Sequence, residues 1–272
     1  MLKLHIDAYT DMNLEDSMFI DIKRLSKMNN HIFQSLSAKL YKLFNFKEHL
    51  DNLIKDDMLI GLMTAAKNEK LFIAKYDEIK DESIPVPMGF NGNLIGITGV
   101  IDKYFRDYLT MYEERMTTFN QELSEFINSK DARTKLVFSY DNTDLKKHLI
   151  KMDKEIHDQL TKYKSPVATV GDLFVSKKGF GEVVKNLTPS MRYINSKRMK
   201  EYVGMVRALN VKLKALQDMV EVEKDTVSKK ALVHMIEEIE LAANMATLLG
   251  KYALAAYETV NIMKSVNTMI TK

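Results

Sequence analysis

Residues 241–266 read LAANMATLLGKYALAAYETVNIMKSV. This stretch decides the fold, because its apolar residues recur at alternating steps of 3 and 4, the period of an α-helix face. One face continues upstream as Leu232, Met235, Ile239, Ala242, Ala246, Leu249, Ala253, Ala256, Val260 and Met263. A second face holds Leu241, Met245, Leu248, Tyr252, Ala255, Ile262, Val266 and Met269. A helix with two apolar stripes needs neighbours on two sides. Between the stripes runs a strip of small residues, Ala242, Ala246, Gly250, Ala253 and Ala256, which lets a neighbouring helix approach closely. Such a helix is either the centre of a bundle or half of a subunit interface, and both readings stay open. Lys251 and Glu258 argue against a membrane span, since ionised groups at the bilayer centre are costly. Lys251 is expected to reach solvent.

Working backwards, a turn near Lys224-Asp225-Thr226 separates this helix, about 44 residues and about 65 Å long, from another. The preceding helix carries Tyr202, Val206, Leu209, Leu213, Leu216 and Val220 at steps of 4 and 3. The two form an antiparallel helical hairpin. Thr188-Pro189 and Ser165-Pro166 both read as helix starts, a capping hydroxyl followed by proline at the first helical position. The stretch Val167 to Lys185, with Gly171, Gly179 and Gly181, is the least regular part of the chain.

The N-terminal half repeats the pattern. A helix is expected from about Asn13, a capping residue, to Phe44, with Asn29 interrupting its apolar face either to set register or to meet solvent. A second spans roughly Lys47 to Tyr76, weakened at Gly61 and at Asp56-Asp57. The segment Ile84-Pro85-Val86-Pro87-Met88-Gly89 stops any helix, because proline drives the residue before it into extended conformations. A third helix runs from about Asn93 to Asn128 on Ile97, Ile101, Tyr104, Tyr108, Tyr112, Met116, Phe119, Leu123 and Phe126. Its run of three 4-residue steps would unwind a strict supercoil locally. Lys135 to Tyr140 is a strand or a linker, and a fourth helix covers about Thr143 to Tyr163. The expected architecture is therefore all-α, an elongated multi-helix bundle of long amphipathic helices ending in a helical hairpin. It divides into an N-terminal region, 1–165, with a Pro/Gly break near 84–92, and a C-terminal region, 166–272.

Composition agrees. Among 272 residues there are only 10 Gly and 4 Pro, so breakers are scarce. With no cysteine, disulfides, thiolate metal sites and thiol nucleophiles are excluded. The 18 methionines suit irregular gaps between helices. The opening residues MLKLHIDAYTDMNLED lack a basic region followed by an apolar run, so no signal peptide is expected.

No motif identifies a reaction. The six histidines are scattered without a His-Glu-x-x-His pattern. Asp153 and His157 share a helix face at a metal-ligand spacing, but two ligands do not make a site, and a solvated pair is expected. Gly92, Gly96 and Gly99 do not match the dinucleotide fingerprint, and Ser176 to Gly181 lacks the phosphate-loop spacing. No enzyme, cofactor or metal is expected.

Charge is the one polar feature that stands out. Residues 177–214 hold ten basic residues against Glu182 and Glu201, a surplus of eight in a chain of formal net charge +3. Lys177, Lys178, Arg192, Lys197, Arg198 and Lys200 are the candidate contacts to a phosphate backbone. A face complementary to the acidic remainder of a neighbouring subunit explains the asymmetry equally well.

The long middle segment 91–130, NGNLIGITGVIDKYFRDYLTMYEERMTTFNQELSEFINSK, and the Ala- and Met-rich segment 241–266 together resemble the internal head and other virion structural proteins of large tailed bacteriophages. The resemblance is one of layout and transfers no functional residue. It implies a structural or assembly role through helix-mediated contacts with other protein subunits, as a homo- or hetero-oligomer, in the virion or the host cytoplasm, close to DNA or to other capsid components. The basic segment 177–214 keeps a nucleic-acid-associated function as the alternative.

Overall fold

The computed structural model describes residues 57–90, 92, 94–129, 142–162, 165–222 and 226–272. The helix expected over 13–44, the first ten residues of the one expected from Lys47, and the segment Lys135 to Tyr140 lie outside the described residues. Helices take up 85% of what is described, so the fold is all-α.

The chain order is α1 (Asp57–Lys67), α2 (Glu69–Ile79), β1 (Ser83–Pro85), α3 (Leu94–Lys103), a π-helical turn (Tyr104–Tyr108), α4 (Leu109–Asn128), α5 (Thr143–Thr161), β2 (Val167–Thr169), α6 (Val170–Phe174), α7 (Gly179–Ile194), α8 (Lys197–Val222) and α9 (Thr226–Thr271). The second expected helix is thus divided at Asn68 into α1 and α2.

The third expected helix is continuous but not uniform. Its three successive 4-residue steps begin at Tyr104, where the backbone opens into the π turn. A π turn accommodates one extra residue without breaking the helix. The expected supercoil adjustment is therefore a local bulge, and it moves the buried face from Tyr104 to Phe105, Leu109 and Tyr112.

Neither Pro-preceded helix start is observed. Ser165-Pro166 leads into β2, which pairs antiparallel with β1, Ile84 opposite Ala168. The Val86 amide extends this contact by donating to the Pro166 carbonyl at 2.9 Å. Prolines at both edges of so short a sheet are tolerated because they remove no interior ladder bond. The cap lies four residues later. Thr169 accepts from the Asp172 amide at 3.0 Å while its own amide donates to the Asp172 carboxylate at 3.3 Å, a reciprocal box that starts α6. Pro189 sits inside α7, and the break comes instead at Asn195-Ser196.

The axis of the molecule is α9, 46 residues and about 69 Å long. It packs against α1, α2, α3, α4, α5, α7 and α8. From Glu238 to Ala256 every side chain is buried. One hydrophobic cluster runs from Met58 through Phe126, Leu149, Met152 and Ile156 to Ile270, on both sides of residue 165. The hairpin partner α8 buries Tyr202, Val206, Leu209, Leu213 and Leu216 as its spacing required.

Lys251 does not reach solvent. It is 4% exposed and its ammonium donates to the Asp153 carboxylate. Asp153 is likewise buried, not solvated, whereas His157 is exposed. Both charged residues sit on apolar faces, one step from Leu248 and Leu149 respectively. Neither would be tolerated there singly, and each neutralises the other. Among the described residues, no helix is long and apolar enough to cross a membrane.

Candidate functional site

The helices α4 and α8 pack side by side, and an open cleft of about 420 Å³ is lined by residues of both. Thr110, Glu113, Glu114, Thr117 and Thr118 line it from α4, and Arg198, Glu201 and Met205 from α8. These α4 residues fall within three turns on one face, because i, i+3, i+4 and i+7 share a side of a helix.

Glu113 is its organising residue. It is buried, and an ionised carboxylate out of water needs partners. Tyr193 donates its hydroxyl to Oε1 at 2.5 Å, and the Arg198 guanidinium donates to Oε2. The break at Asn195-Ser196 makes this convergence possible: Tyr193 closes α7, Arg198 opens α8, and the bend between them brings both side chains to one carboxylate. Arg198 also lies over the Tyr193 ring, 5.9 Å from its centroid. Burial, then the bond to Glu113, pushes the Tyr193 phenol far above its ordinary range. The threonine hydroxyls turn back to their own helix, Thr117 to the Glu113 carbonyl at 2.9 Å and Thr118 to the Glu114 carbonyl at 3.1 Å.

A second ionic cluster ties α4 to α9. Arg115 bridges Glu238 at 2.5 Å and Glu122 at 3.5 Å, and Asn142 donates to Glu238. Burial pushes the Glu238 carboxyl above its ordinary range, with Arg115 acting against it. His234 lies 3.7 Å from Glu238, and burial lowers its pKa. No group of three or more His, Cys, Asp or Glu side chains placed to hold a metal occurs among the described residues.

No protein-family model, no curated protein and no solved structure matches this chain.

The candidate phosphate contacts are dispersed. Lys177 is paired with Asp77, whose carboxyl it holds below the usual range. Lys197 is paired with Glu201 at 3.0 Å, one turn along α8, and Arg198 is committed to Glu113. Lys178, Arg192 and Lys200 are exposed, but Lys178 precedes α7 and Arg192 lies in its last turn, roughly 21 Å further along. What α8 does display is a straight exposed row, Lys200, Gly204, Arg207, Val211 and Lys214, at alternating steps of 4 and 3. Its three cations stand about 10.5 Å apart. Lys212 leaves that row and donates to the Asn120 carbonyl at 2.8 Å.

Ala242, Ala246, Gly250, Ala253 and Ala256 are buried within the single chain. Of the two readings of the strip, the bundle centre describes where these residues lie. Asp153 was expected in a solvated pair with His157, and Glu113 was not singled out in the sequence. Asp153 is detectable, four after Leu149 and three before Ile156 on an apolar face. Glu113, beside Tyr112 in a helix whose register changes at the π turn, is not.

Proposed function

We propose that this chain is a structural or assembly protein that works through protein–protein contacts made by the outer faces of its helices, as a component of a particle of the virion kind. The observation that carries the reading is on α1. Ile60 and Met63, one turn apart, are 58% and 56% exposed, while the same helix buries Met58, Leu62 and Ala65 beneath them. The helix thus carries apolar residues on its core side and on its outer side. Adjacent exposed apolar side chains mark contact surfaces more often than isolated ones do. With the small-residue strip of α9 taken up internally, association falls to such outer faces. The test is light scattering of the purified chain over a concentration series, beside an Ile60→Glu/Met63→Glu variant. The parent should exceed 31.4 kDa and the variant should return to it with unchanged circular dichroism. A parent that stays at monomer mass throughout would reject self-association through α1.

The row on α8 supports a second reading, association with nucleic acid. Lys200, Arg207 and Lys214 have no ion-pair partner among the described residues. Binding of a DNA duplex, followed by fluorescence anisotropy, should weaken steeply with salt if these cations meet phosphates. Lys200→Gln/Arg207→Gln/Lys214→Gln should then remove it. No binding by the parent at low salt would end this reading.

A further inference from the structure

The helices α4 and α8 run in the same direction, since Glu113 meets Arg198 near one end of their pairing and Asn120 meets Lys212 near the other. Each buries one side in the core, Tyr112, Met116 and Phe119 on α4 and Tyr202, Val206 and Leu209 on α8. The sides turned away from the core therefore form one outer face, two helices wide. On that face the charges are sorted by helix. α8 displays Lys200, Arg207 and Lys214, and the row changes sign only at its far end, with Asp218. α4 displays Glu114, Gln121 and Glu125, and no exposed cation between Leu109 and Asn128. Lys200 stands two residues after Arg198, and Glu114 one after Glu113, so these two opposite charges lie near one level. Lys214 and Glu125 both lie beyond the contact of Lys212 with Asn120, at the other end.

Such a face complements itself. A two-fold axis lying in the face and parallel to the helices sets α8 of one copy over α4 of the next, in the same direction. Lys200 then opposes Glu114, and Lys214 opposes Glu125, twice over, as in any isologous contact. A two-fold axis across the helices would stack α4 on α4 and α8 on α8, and like charges reject that arrangement. The middle of the cationic row favours a protein partner over a phosphate backbone. Val211 stands there 75% exposed, between Arg207 and Lys214. An exposed valine gains nothing against phosphates but is covered by a packed helix. At Gly204 nothing lies within 4 Å of the place a Cβ would occupy, which leaves room for a neighbouring helix to come close.

We infer that the outer face of α4 and α8 is a second self-association surface, which binds the same face of another copy through opposed rows of charge. The inference rests on self-association through α1. The face is about 30 Å long and two helices wide, so two copies bury on the order of 1,200 Å², the low end for a specific contact. Exposed ion pairs each add little. The charged face therefore orders copies that α1 already holds together.

The test is zero-length cross-linking of the full chain with a carbodiimide, which joins lysine to glutamate, on an equal mixture of unlabelled and ¹⁵N-labelled protein. Mass spectrometry should find Lys200–Glu114 and Lys214–Glu125 links of mixed isotopic composition, and high salt should abolish them. Charge reversal gives the second readout. Glu114→Lys/Glu125→Lys makes the whole face basic, and Lys200→Glu/Arg207→Glu/Lys214→Glu makes it acidic. Each variant alone should lose the mixed links and scatter light as a smaller particle than the parent. Mixed together, the two should recover the parent's size, because a basic face then meets an acidic one; this recovery also shows that both variants are folded. A parent that never exceeds monomer mass fails the α1 reading. A parent that self-associates without these links, or a mixture no larger than its components, overturns the α4–α8 contact alone, and DNA binding by the same row would then give it to nucleic acid.

Discussion

Replacing Lys251 by Met keeps most of the side-chain volume and removes one charge. In the folded chain this leaves the Asp153 carboxylate, itself buried, with its cation gone. Breaking one side of a buried ion pair typically costs about 3–5 kcal/mol, because the remaining charge is out of water without compensation. For a chain of this size, 1 kcal/mol corresponds to roughly 2–4 °C in melting temperature. Lys251→Met should therefore melt about 6–20 °C below the parent. Removing both charges is a different matter, since an apolar pair of similar volume is often neutral or stabilising. The Asp153→Leu/Lys251→Met double variant should recover most of the loss, giving a large coupling in a double-mutant cycle. Thermal and urea unfolding of the parent, both single variants and the double variant measure it. A Lys251→Met protein within about 1 kcal/mol of the parent, the behaviour of an exposed lysine, would refute the burial of this pair between α5 and α9.

Ala246→Leu and Ala253→Leu should each destabilise by roughly 1–3 kcal/mol, and light scattering should find their mass unchanged, because both sites face the interior of one chain. Val175 closes α6 at φ 61°, a conformation that costs a β-branched residue; Val175→Gly should stabilise by about 1 kcal/mol in urea titration. Burial raises the Glu258 carboxyl, opposed by its bond from Asn261. The folded chain therefore holds that proton more tightly than the unfolded one, and stability from this group falls as pH rises from the unfolded to the folded pKa. Glu258→Gln, which has no charge to desolvate, should gain in melting temperature over the parent as pH is raised from 4 to 8, and a difference that is flat with pH would contradict it.

Helix positions that depend on apolar period alone were legible in the sequence. Tyr202 to Leu216 and Met235 to Met263 lie buried where the 3–4 spacing puts them. Helix boundaries governed by proline were not, because a Ser-Pro or Thr-Pro pair has more than one use. Pro166 precedes a strand whose partner, residues 83–85, is over 80 positions away, a pairing that local pattern cannot reveal. Pro189 is held within a helix by packing of Leu187, Met191 and Ile194 on either side. The ionic core was misread: Lys251 and Asp153 were both expected in solvent although each stands on an apolar stripe, and nothing local names a partner 98 residues away. The cleft was the least legible feature. Arg198 was singled out for its charge, yet its partner Glu113 depends on a bend at Asn195-Ser196 and on the register change at the π turn.

The helix α9 is the buried axis of a single chain. Native-state hydrogen exchange, read by mass spectrometry across a wide range of protein concentrations, tests this most directly. Amides in Glu238 to Ala256 should exchange only with global unfolding, more slowly than those of α1, and at a rate that does not change on dilution. Fast exchange in that segment, or protection that disappears as the protein is diluted, would show that its apolar stripes are covered by another chain and would contradict the account.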